Sequence, residues 1–139
     1  MKTLKNNAVL VLHLPDGKHI IVQDRRGYKP PLWGYFGGGL EAGETPLQAI
    51  LREIREELDL HLQSEDVELW GCCTGETQHM MYTIHVFGHA FSGDPAALTV
   101  LEGAGLDVVI PQEMLTRCEE GGPDEAITKL VMEKLPSQT

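Results

Sequence analysis

The pattern of apolar and polar residues predicts a sheet that begins with a hairpin and is followed by one amphipathic helix. Residues 8–14 are apolar and rich in β-branched side chains, which favours a strand. Residues 15–17 (Pro-Asp-Gly) are a turn signal, and residues 18–23 are the expected partner strand. At about 100° per residue, the apolar side chains after Pro46 share one helix face. They are Leu47, Ile50, Leu51, Ile54 and Leu58. We therefore expect this helix to pack on the sheet.

The start of this helix is defined by its capping residues. Thr45 is a favoured N-cap residue, Pro46 suits the first helical position, and Gln48 completes a capping box. No glycine or proline interrupts the chain from there to Leu60. Asp59 is a tolerable residue for the left-handed turn that commonly ends a helix.

The second half of the chain predicts more strands and two further helices. Strands are expected over residues 68–74, 79–91, 98–102 and 106–110, with a bend or bulge near Gly88 in the long second one. A short helix begins at Pro111, and a final amphipathic helix covers residues 124–135. The segment between the first hairpin and the helix, residues 24–33, is predicted to be a loop.

Length and charge limit the kinds of partner. A chain of 139 residues is expected to form one domain, spanning residues 1–139. The formal net charge of −10 argues against binding to a nucleic acid polymer or an anionic membrane. No apolar run is long enough to span a bilayer, and the N-terminal segment is too strand-like for a signal peptide.

The three cysteines indicate the compartment. Cys72, Cys73 and Cys118 are odd in number and two are adjacent, which suits reduced thiols better than a disulfide framework or a zinc site. We therefore expect a cytoplasmic protein.

The polar face of the helix carries the candidate chemistry. Glu53 and Glu57 stand one turn apart with Glu56 beside them, so three carboxylates are expected to converge. Three negative charges so close together repel one another, and a hard divalent cation with oxygen ligands would offset this repulsion. The alternative is an ordinary solvated acidic face, which is what an isolated Glu-x-x-Glu-Glu pattern usually is.

The complete spacing around these acids favours the first interpretation. Gly38, Glu44, Arg52-Glu53, Ile54, Glu56-Glu57 and Leu60 fit the pattern G-x5-E-x7-R-E-U-x-E-E-x-G-U, in which U is aliphatic. This segment, residues 38–60, strongly resembles the signature of the Nudix hydrolases. Asp59 departs from the pattern, which has glycine there, and this puts the exit geometry of the helix in question but not the carboxylates.

The resemblance implies a fold and a reaction. The fold would be α/β, a Nudix α/β/α sandwich with a mixed central sheet. The reaction would be hydrolysis of a pyrophosphate bond in a nucleoside diphosphate linked to another moiety, with Mg²⁺ or Mn²⁺ required. Phosphoryl transfer depends on positioning and charge neutralisation, which metal held by carboxylates supplies. Bound metal would also let an acidic protein accept an anionic substrate.

The resemblance also assigns roles to residues of the signature. Glu53, Glu56 and Glu57 would be metal ligands, with the Gly38 carbonyl as a further one. Arg52 would orient the acids, and Glu44 would pair with it; the alternative for Arg52 is a surface salt bridge of little energetic value.

The general base is open between an acid of the signature and one on a later loop. Glu102 resembles that later acid, Glu76 and Glu113 are weaker candidates, and simple solvation of Glu102 is the alternative.

Substrate contacts are predicted ahead of the signature. Arg25 or Arg26 would contact a phosphate, although adjacent arginines after a strand usually only sit in solvent. Trp33, Tyr35 and Phe36 would offer a stacking surface for a base, with core packing as the equally favoured alternative.

The substrate subgroup is not assigned by the sequence. Residues 61–78 lack the proline of ADP-ribose members and the tyrosine of dinucleoside polyphosphate members, which weakly favours nucleoside triphosphates or sugar nucleotides. A Nudix-fold domain that binds a nucleotide without turnover is the competing hypothesis. A homodimer is a further option that the resemblance implies.

Overall fold

One mixed sheet of seven strands forms the centre of the part of the chain that the computed structural model describes, residues 2–25, 31–102 and 105–135. The strands are β1 (Thr3–His13), β2 (Ile20–Asp24), β3 (Trp33–Gly34), β4 (Phe36–Gly39), β5 (Glu68–Glu76), β6 (Met80–Ala90) and β7 (Gly105–Val109). The helices are α1 (Pro46–Leu58), α2 (Pro111–Arg117) and α3 (Pro123–Lys134).

Strand β1 organises the sheet. It runs parallel to β6 along its whole length and antiparallel to β2 and β4. Strand β2 pairs antiparallel with β3 and β7, and β5 pairs antiparallel with β6. The sheet is therefore mixed, and the predicted hairpin of β1 and β2 is confirmed.

The alternation of side chains along β1 separates two apolar layers. Ala8, Leu10 and Leu12 face α1, whereas Val9 and Val11 face the opposite layer. On that opposite side the buried helical residues are Met114, Ile127 and Val131. Helices thus cover both faces of the sheet, and the predicted α/β/α sandwich is confirmed.

The capping pattern of α1 is present as predicted. The Thr45 side chain accepts a hydrogen bond from the Gln48 backbone N–H, and the Gln48 side chain accepts one from the Thr45 N–H. Asp59 ends the helix with a φ of 52°, the left-handed conformation for which glycine is the usual residue. The departure of Asp59 from the signature therefore leaves the helix exit intact.

Three expectations about strands are wrong. Residues 98–102 form no strand, because Leu98 and Val100 pack toward α1 and the Leu101 N–H donates to the Glu57 carbonyl at 2.8 Å. Strands β3 and β4 were not predicted. The register shift lies in β5 between Leu69 and Gly71, not at Gly88 in β6.

Gly88 has a different role from the one predicted. A Cβ there would lie 2.1 Å from the Trp70 ring, so the glycine makes room for the indole at the bulge in β5.

Within the described ranges, no helix is long and apolar enough to cross a membrane.

Candidate active site

The glycine run that leads into α1 is a strand against which other groups pack closely. Gly37 lies opposite Val9 in the register of β1 and β4. Its φ is 141°, and a Cβ there would be 2.1 Å from the Ala8 carbonyl oxygen. Only glycine can hold this position without moving the backbone. The close approach leaves the Gly37 N–H directed at α1.

Glu57 occupies the space beside this strand. Only 4% of the residue is exposed. One carboxylate oxygen, Oε1, accepts a hydrogen bond of 2.7 Å from the Gly37 N–H, and Oε2 accepts one of 2.9 Å from Gln23 Nε2. Burial raises the pKa of Glu57 to about 6, and the two hydrogen bonds oppose that rise. The protein therefore holds a buried carboxylate whose contacting donors are neutral groups.

Glu53 stands one turn earlier on α1 and also faces the glycine strand. Its carboxylate lies so close to Gly38 that a Cβ there would be 2.5 Å from Glu53 Oε1. Arg52 Nη1 donates to the same oxygen at 2.9 Å. Partial burial raises the pKa of Glu53 despite Arg52, and the charges of Glu56 and Glu102 add to the rise. Glu53 and Glu57 thus place two carboxylates along the same short strand.

Arg52 is held by several oxygens at once. Its Nε and Nη2 donate to the two oxygens of Glu44 at 2.7 and 2.9 Å, a bidentate arrangement. Nη2 also donates to the Gly39 carbonyl at 3.1 Å. The hydrogen bonds from Arg52 lower the pKa of Glu44 to about 2. Arg52 therefore links α1 to the glycine strand, which agrees with the orienting role that the signature implies.

Glu56 differs from the other two acids of the helix. Half of its side chain is exposed, and it lies 3.3 Å from Arg52 Nη1. Among residues 2–25, 31–102 and 105–135, no three His, Cys, Asp or Glu side chains are close enough together to bind one ion. The predicted convergence of three carboxylates is therefore not seen in this conformation, in which Arg52 Nη1 contacts both Glu53 and Glu56. The role of each acid as a ligand stays a prediction.

A small cleft opens beside Glu57. It has a volume of about 190 Å³. Its lining residues are Gln23, Arg25, Gly37, Glu57 and Glu102. The loop that carries Glu102 is tied to α1 through the hydrogen bond from Leu101 to the Glu57 carbonyl. The structure therefore brings Glu102 beside the acids of the signature, although more than forty positions separate them in the chain.

The other two candidate bases lie elsewhere. Glu76, at the end of β5, pairs with Lys2, and Glu113 on α2 lies 3.2 Å from Arg117. Neither lines the cleft.

A larger pocket of about 500 Å³ adjoins the cleft, because Arg25 lines both. Lys5 and Asp124 contribute charges of opposite sign to it, and Leu32, Met80 and Pro123 contribute apolar surface. The Arg117 guanidinium lies over the Trp33 ring at 4.7 Å and closes one wall. Burial raises the pKa of Asp124 against the opposing charges of Arg25 and Lys5. The pocket combines an aromatic wall with charged groups.

The remaining predicted contacts have mixed outcomes. Tyr35 and Phe36 are 1% and 0% exposed. The Tyr35 hydroxyl bonds to Thr128 on the α3 side at 2.5 Å, and Phe36 packs in the layer of α1. Core packing, the alternative weighed for both, is what the structure shows, and neither offers a face to a base. Arg26 lies outside the described residues, whereas Arg25 lines the cleft, and its contact with a phosphate stays a prediction.

Gln23 was not predicted as a site residue. It was assigned only as the last residue of a strand, but its amide contacts Glu57 directly. The available signal was a single polar residue that ends an apolar strand just before Asp24 and Arg25.

The donor set of the site fits a hard cation. All candidate ligands are oxygens, namely the carboxylates of Glu53, Glu56, Glu57 and Glu102 and the Gly38 carbonyl. Mg²⁺ and Mn²⁺ prefer such oxygens, whereas zinc and copper sites typically use nitrogen or sulfur. A buried carboxylate contacted by neutral donors also leaves its negative charge for a cation to balance.

Comparison with known proteins identifies a family for the chain. A family model described as the NUDIX domain matches residues 4–125. The nucleoside triphosphatase NudI of Salmonella arizonae is 42% identical over 57 residues, which cover 40% of this chain and 40% of that protein. The chain therefore aligns with well under half of the length of these curated relatives.

Two solved structures resemble nearly the whole chain. The solution structure of the E. coli ORF135 protein has a TM-score of 0.73 at 22% identity, covering 98% of this chain and 96% of that one. The E. coli dihydroneopterin triphosphate pyrophosphohydrolase also has a TM-score of 0.73, at 20% identity, covering 95% and 99%. At this level of identity the likeness shows a shared fold.

Proposed function

We propose that this chain, which belongs to the Nudix family, is a metal-dependent hydrolase that cleaves a pyrophosphate bond in a nucleoside diphosphate linked to another group. The observation that carries the proposal is the pair Glu53 and Glu57. Both carboxylates face the glycine strand, one against Gly38 and the other on the Gly37 N–H. A third acid, Glu102, lines the same cleft from a distant loop.

Mg²⁺, with Mn²⁺ as a substitute, is the proposed cofactor. Glu53 and Glu57 would hold it, with Glu56 and the Gly38 carbonyl as further ligands. When bound, such an ion neutralises phosphate oxygens and lowers the pKa of a water molecule. It would also offset the negative field of a protein whose formal net charge is −10.

Glu102 is proposed as the general base that takes the proton of the attacking water. It lines the cleft beside Glu57, and its negative charge contributes to the raised pKa of Glu53. A proton acceptor must lie within hydrogen-bond reach of the water that it activates. The bond from Leu101 to the Glu57 carbonyl supports the role because it sets where this loop lies relative to α1.

Arg25 is proposed to contact the phosphates, and Arg26 is retained as a second candidate. Arg25 lines both the cleft and the larger pocket, so a substrate that spans the two cavities would pass it. A guanidinium at that point suits the planar, bidentate recognition of a phosphate. The nucleoside would then lie in the larger pocket, with Trp33 replacing Tyr35 and Phe36 as the aromatic surface.

A nucleoside triphosphate or a sugar nucleotide is the favoured substrate. The names of two matched proteins, a nucleoside triphosphatase and a dihydroneopterin triphosphate pyrophosphohydrolase, describe triphosphate substrates. The acidic cleft and the adjoining pocket of about 500 Å³ are compatible with a phosphate chain and a nucleoside, respectively.

Cytoplasmic location and self-association complete the proposal. Cys72, Cys73 and Cys118 are all free thiols, as expected in a reducing compartment.

Leu4 and Met81 are exposed neighbours on β1 and β6, which supports a homodimer through that face of the sheet. Sedimentation of wild type and Leu4→Glu tests the dimer, and a monomeric wild type would reject it.

A nucleotide panel tests the activity. The protein is incubated with Mg²⁺ and nucleoside triphosphates, sugar nucleotides, ADP-ribose and a dinucleoside polyphosphate in ¹⁸O-labelled water. We expect a nucleoside monophosphate product, and the position of the label identifies the phosphorus attacked. Glu53→Gln and Glu57→Gln should abolish turnover. Nucleotide binding without any product from wild type would instead support the non-hydrolytic alternative.

A further inference from the structure

Gln23 is a buried amide at the edge of the active site. It lies near the end of β2, and only 2% of the residue is exposed. In the described part of the chain it is one of three buried polar or charged residues, with Glu57 and Thr128. A buried amide is costly unless it is hydrogen-bonded, so its partners explain why it is tolerated there.

The amide nitrogen of Gln23 connects two parts of the site. It donates to Glu57 Oε2 at 2.9 Å and to the Tyr35 backbone carbonyl at 3.2 Å. The other oxygen of Glu57 accepts from the Gly37 N–H. Within the part of the chain that the structure describes, one donor contacts each oxygen of this carboxylate, and the two donors come from different strands.

The geometry points to Gln23 as a positioning residue that fixes the orientation of the Glu57 carboxylate toward the cleft. Without the amide, the carboxylate would keep only the Gly37 N–H as a donor among the described residues, and its second oxygen would lose the contact that fixes it. This inference rests on the proposed function, since it gives Gln23 its effect through Glu57. Residues that orient metal ligands typically change affinity or activity by about 10- to 100-fold when they are removed.

Replacement by methionine tests the amide with little change of volume. We expect Gln23→Met to lower kcat by roughly 10- to 100-fold, with KM changed by less than about threefold. The substrate is the nucleotide that wild type hydrolyses fastest in the panel. Mn²⁺ affinity, measured by calorimetry without nucleotide, should fall by about tenfold or more. Wild-type values for kcat and for Mn²⁺ affinity would overturn the inference.

Nuclear magnetic resonance supplies a signal that needs neither metal nor turnover. The Gly37 amide donates to Glu57, so its ¹H shift reports the position of the carboxylate. We expect this resonance to move in Gln23→Met. The Gly37 resonance should keep its wild-type shift in Thr128→Val. That variant removes a buried hydroxyl that bonds to the Tyr35 side chain and not to Glu57. Equal displacement of the resonance in both variants would show a general structural effect and reject the positioning role.

Two further comparisons keep the outcome decisive. If Gln23→Met fails to fold, Gln23→Asn keeps the amide but shortens its reach, and the same effects on kcat, Mn²⁺ affinity and the Gly37 amide are expected. If wild type hydrolyses no nucleotide, the proposed function fails, but the Gly37 resonance still decides whether Gln23 positions Glu57. Normal hydrolysis by a variant with an undisplaced resonance would reject the inference alone.

Discussion

Two carboxylates of the signature, one just before α1 and one on it, are held in opposite ways. Glu44 at the start of the signature pairs with Arg52 through two charged hydrogen bonds, which lower its pKa to about 2. Glu57 is buried and accepts hydrogen bonds from the Gly37 N–H and the Gln23 amide, and its pKa rises to about 6. One acid is therefore balanced by a cation of the protein, whereas the direct donors to the other are neutral.

This difference distinguishes the residues of the signature that position other side chains from the carboxylate that is proposed to bind metal. In the first region, Arg52 balances the charge of Glu44 through two hydrogen bonds. The same arginine joins α1 to the Gly39 carbonyl and donates to Glu53. The site around Glu57 keeps a carboxylate dehydrated and oriented by neutral donors, and the charge of Arg25, which lines the same cleft, opposes the rise of its pKa without cancelling it. A dehydrated carboxylate binds a cation more strongly than a solvated one does, because less water shields the interaction. We therefore propose that the region around Glu57 contributes most to metal binding and that Arg52 positions the further ligands Glu53 and Glu56.

The largest expected effect comes from removing the charge of Glu57. Glu57→Gln keeps the shape of the side chain but cannot balance a divalent ion, so we expect kcat/KM to fall by about 10³-fold or more. Steady-state kinetics with the preferred nucleotide measures this. Glu133→Gln, on α3 and outside the lining of the cleft, is the matched control. A variant that keeps a tenth of the activity would remove Glu57 from its assigned role.

The packing of Glu53 on the glycine strand gives the next largest effect. In Gly38→Ala the new Cβ would lie 2.5 Å from Glu53 Oε1 and would push the carboxylate away. We expect activity to fall by about 10- to 100-fold, as for the loss of a positioning contact. Gly39→Ala is the control, because its Cβ would lie 3.7 Å from the nearest neighbour, Asn7 Oδ1. Equal losses in the two variants would contradict the arrangement.

Arg52→Lys tests the supporting cluster. Lysine keeps the charge but loses the planar fork that contacts both Glu44 oxygens and the Gly39 carbonyl. We expect kcat to fall by about tenfold, with a smaller change than for Glu57→Gln. Arg55→Lys, at an exposed position on the same helix, should keep wild-type kinetics. A larger loss of kcat in Arg52→Lys than in Glu57→Gln would contradict the proposal that Glu57 contributes more to the reaction than Arg52 does.

The smallest expected effect is a dependence of stability on pH. Because the pKa of Glu57 is about 6 in the folded state and 4.5 in the unfolded state, the folded protein keeps a proton over a pH range in which the unfolded chain has released it. The folded state therefore loses stability as pH rises from 4.5 to about 6. The cost is about 2 kcal/mol. In metal-free protein, Glu57→Gln should gain stability relative to wild type between pH 4.5 and 6, with the gain constant above pH 7.

Thermal or urea denaturation across this pH range measures the difference between the two proteins. A difference that does not change with pH would show that Glu57 titrates normally. Glu56→Gln serves as the control, because that side chain is half exposed.

The residues that sequence reasoning found are those whose role depends on local spacing. The capping box of Thr45 and Gln48, the apolar face of α1 and the contact of Arg52 with Glu44 all follow from positions within one helix and its entry. The sandwich followed because the strand pattern and the signature agree on one fold. Glu102 was predicted because it resembles an acid that family members carry on a later loop, and it lines the cleft.

The errors arose where tertiary contacts override local preference. Strand β4 was not predicted, because glycine is rare in strands and three glycines follow one another there, but pairing with β1 makes them part of the sheet. Leu98 to Glu102 has the composition of a strand, but its apolar side chains pack on α1 instead. The contact of Gln23 with Glu57 joins residues 34 positions apart, and a polar residue at the end of an apolar strand does not reveal which partner it contacts. Aromatic residues such as Tyr35 suit a core and a stacking surface equally well, so burial had to be observed.

Calorimetric titration of Mn²⁺ into nucleotide-free protein tests the central claim most directly. The account predicts that wild type binds the ion and that Glu53→Gln and Glu57→Gln bind it at least about tenfold more weakly, whereas Glu133→Gln matches wild type. Equal binding by all four proteins, or none by wild type, would contradict it.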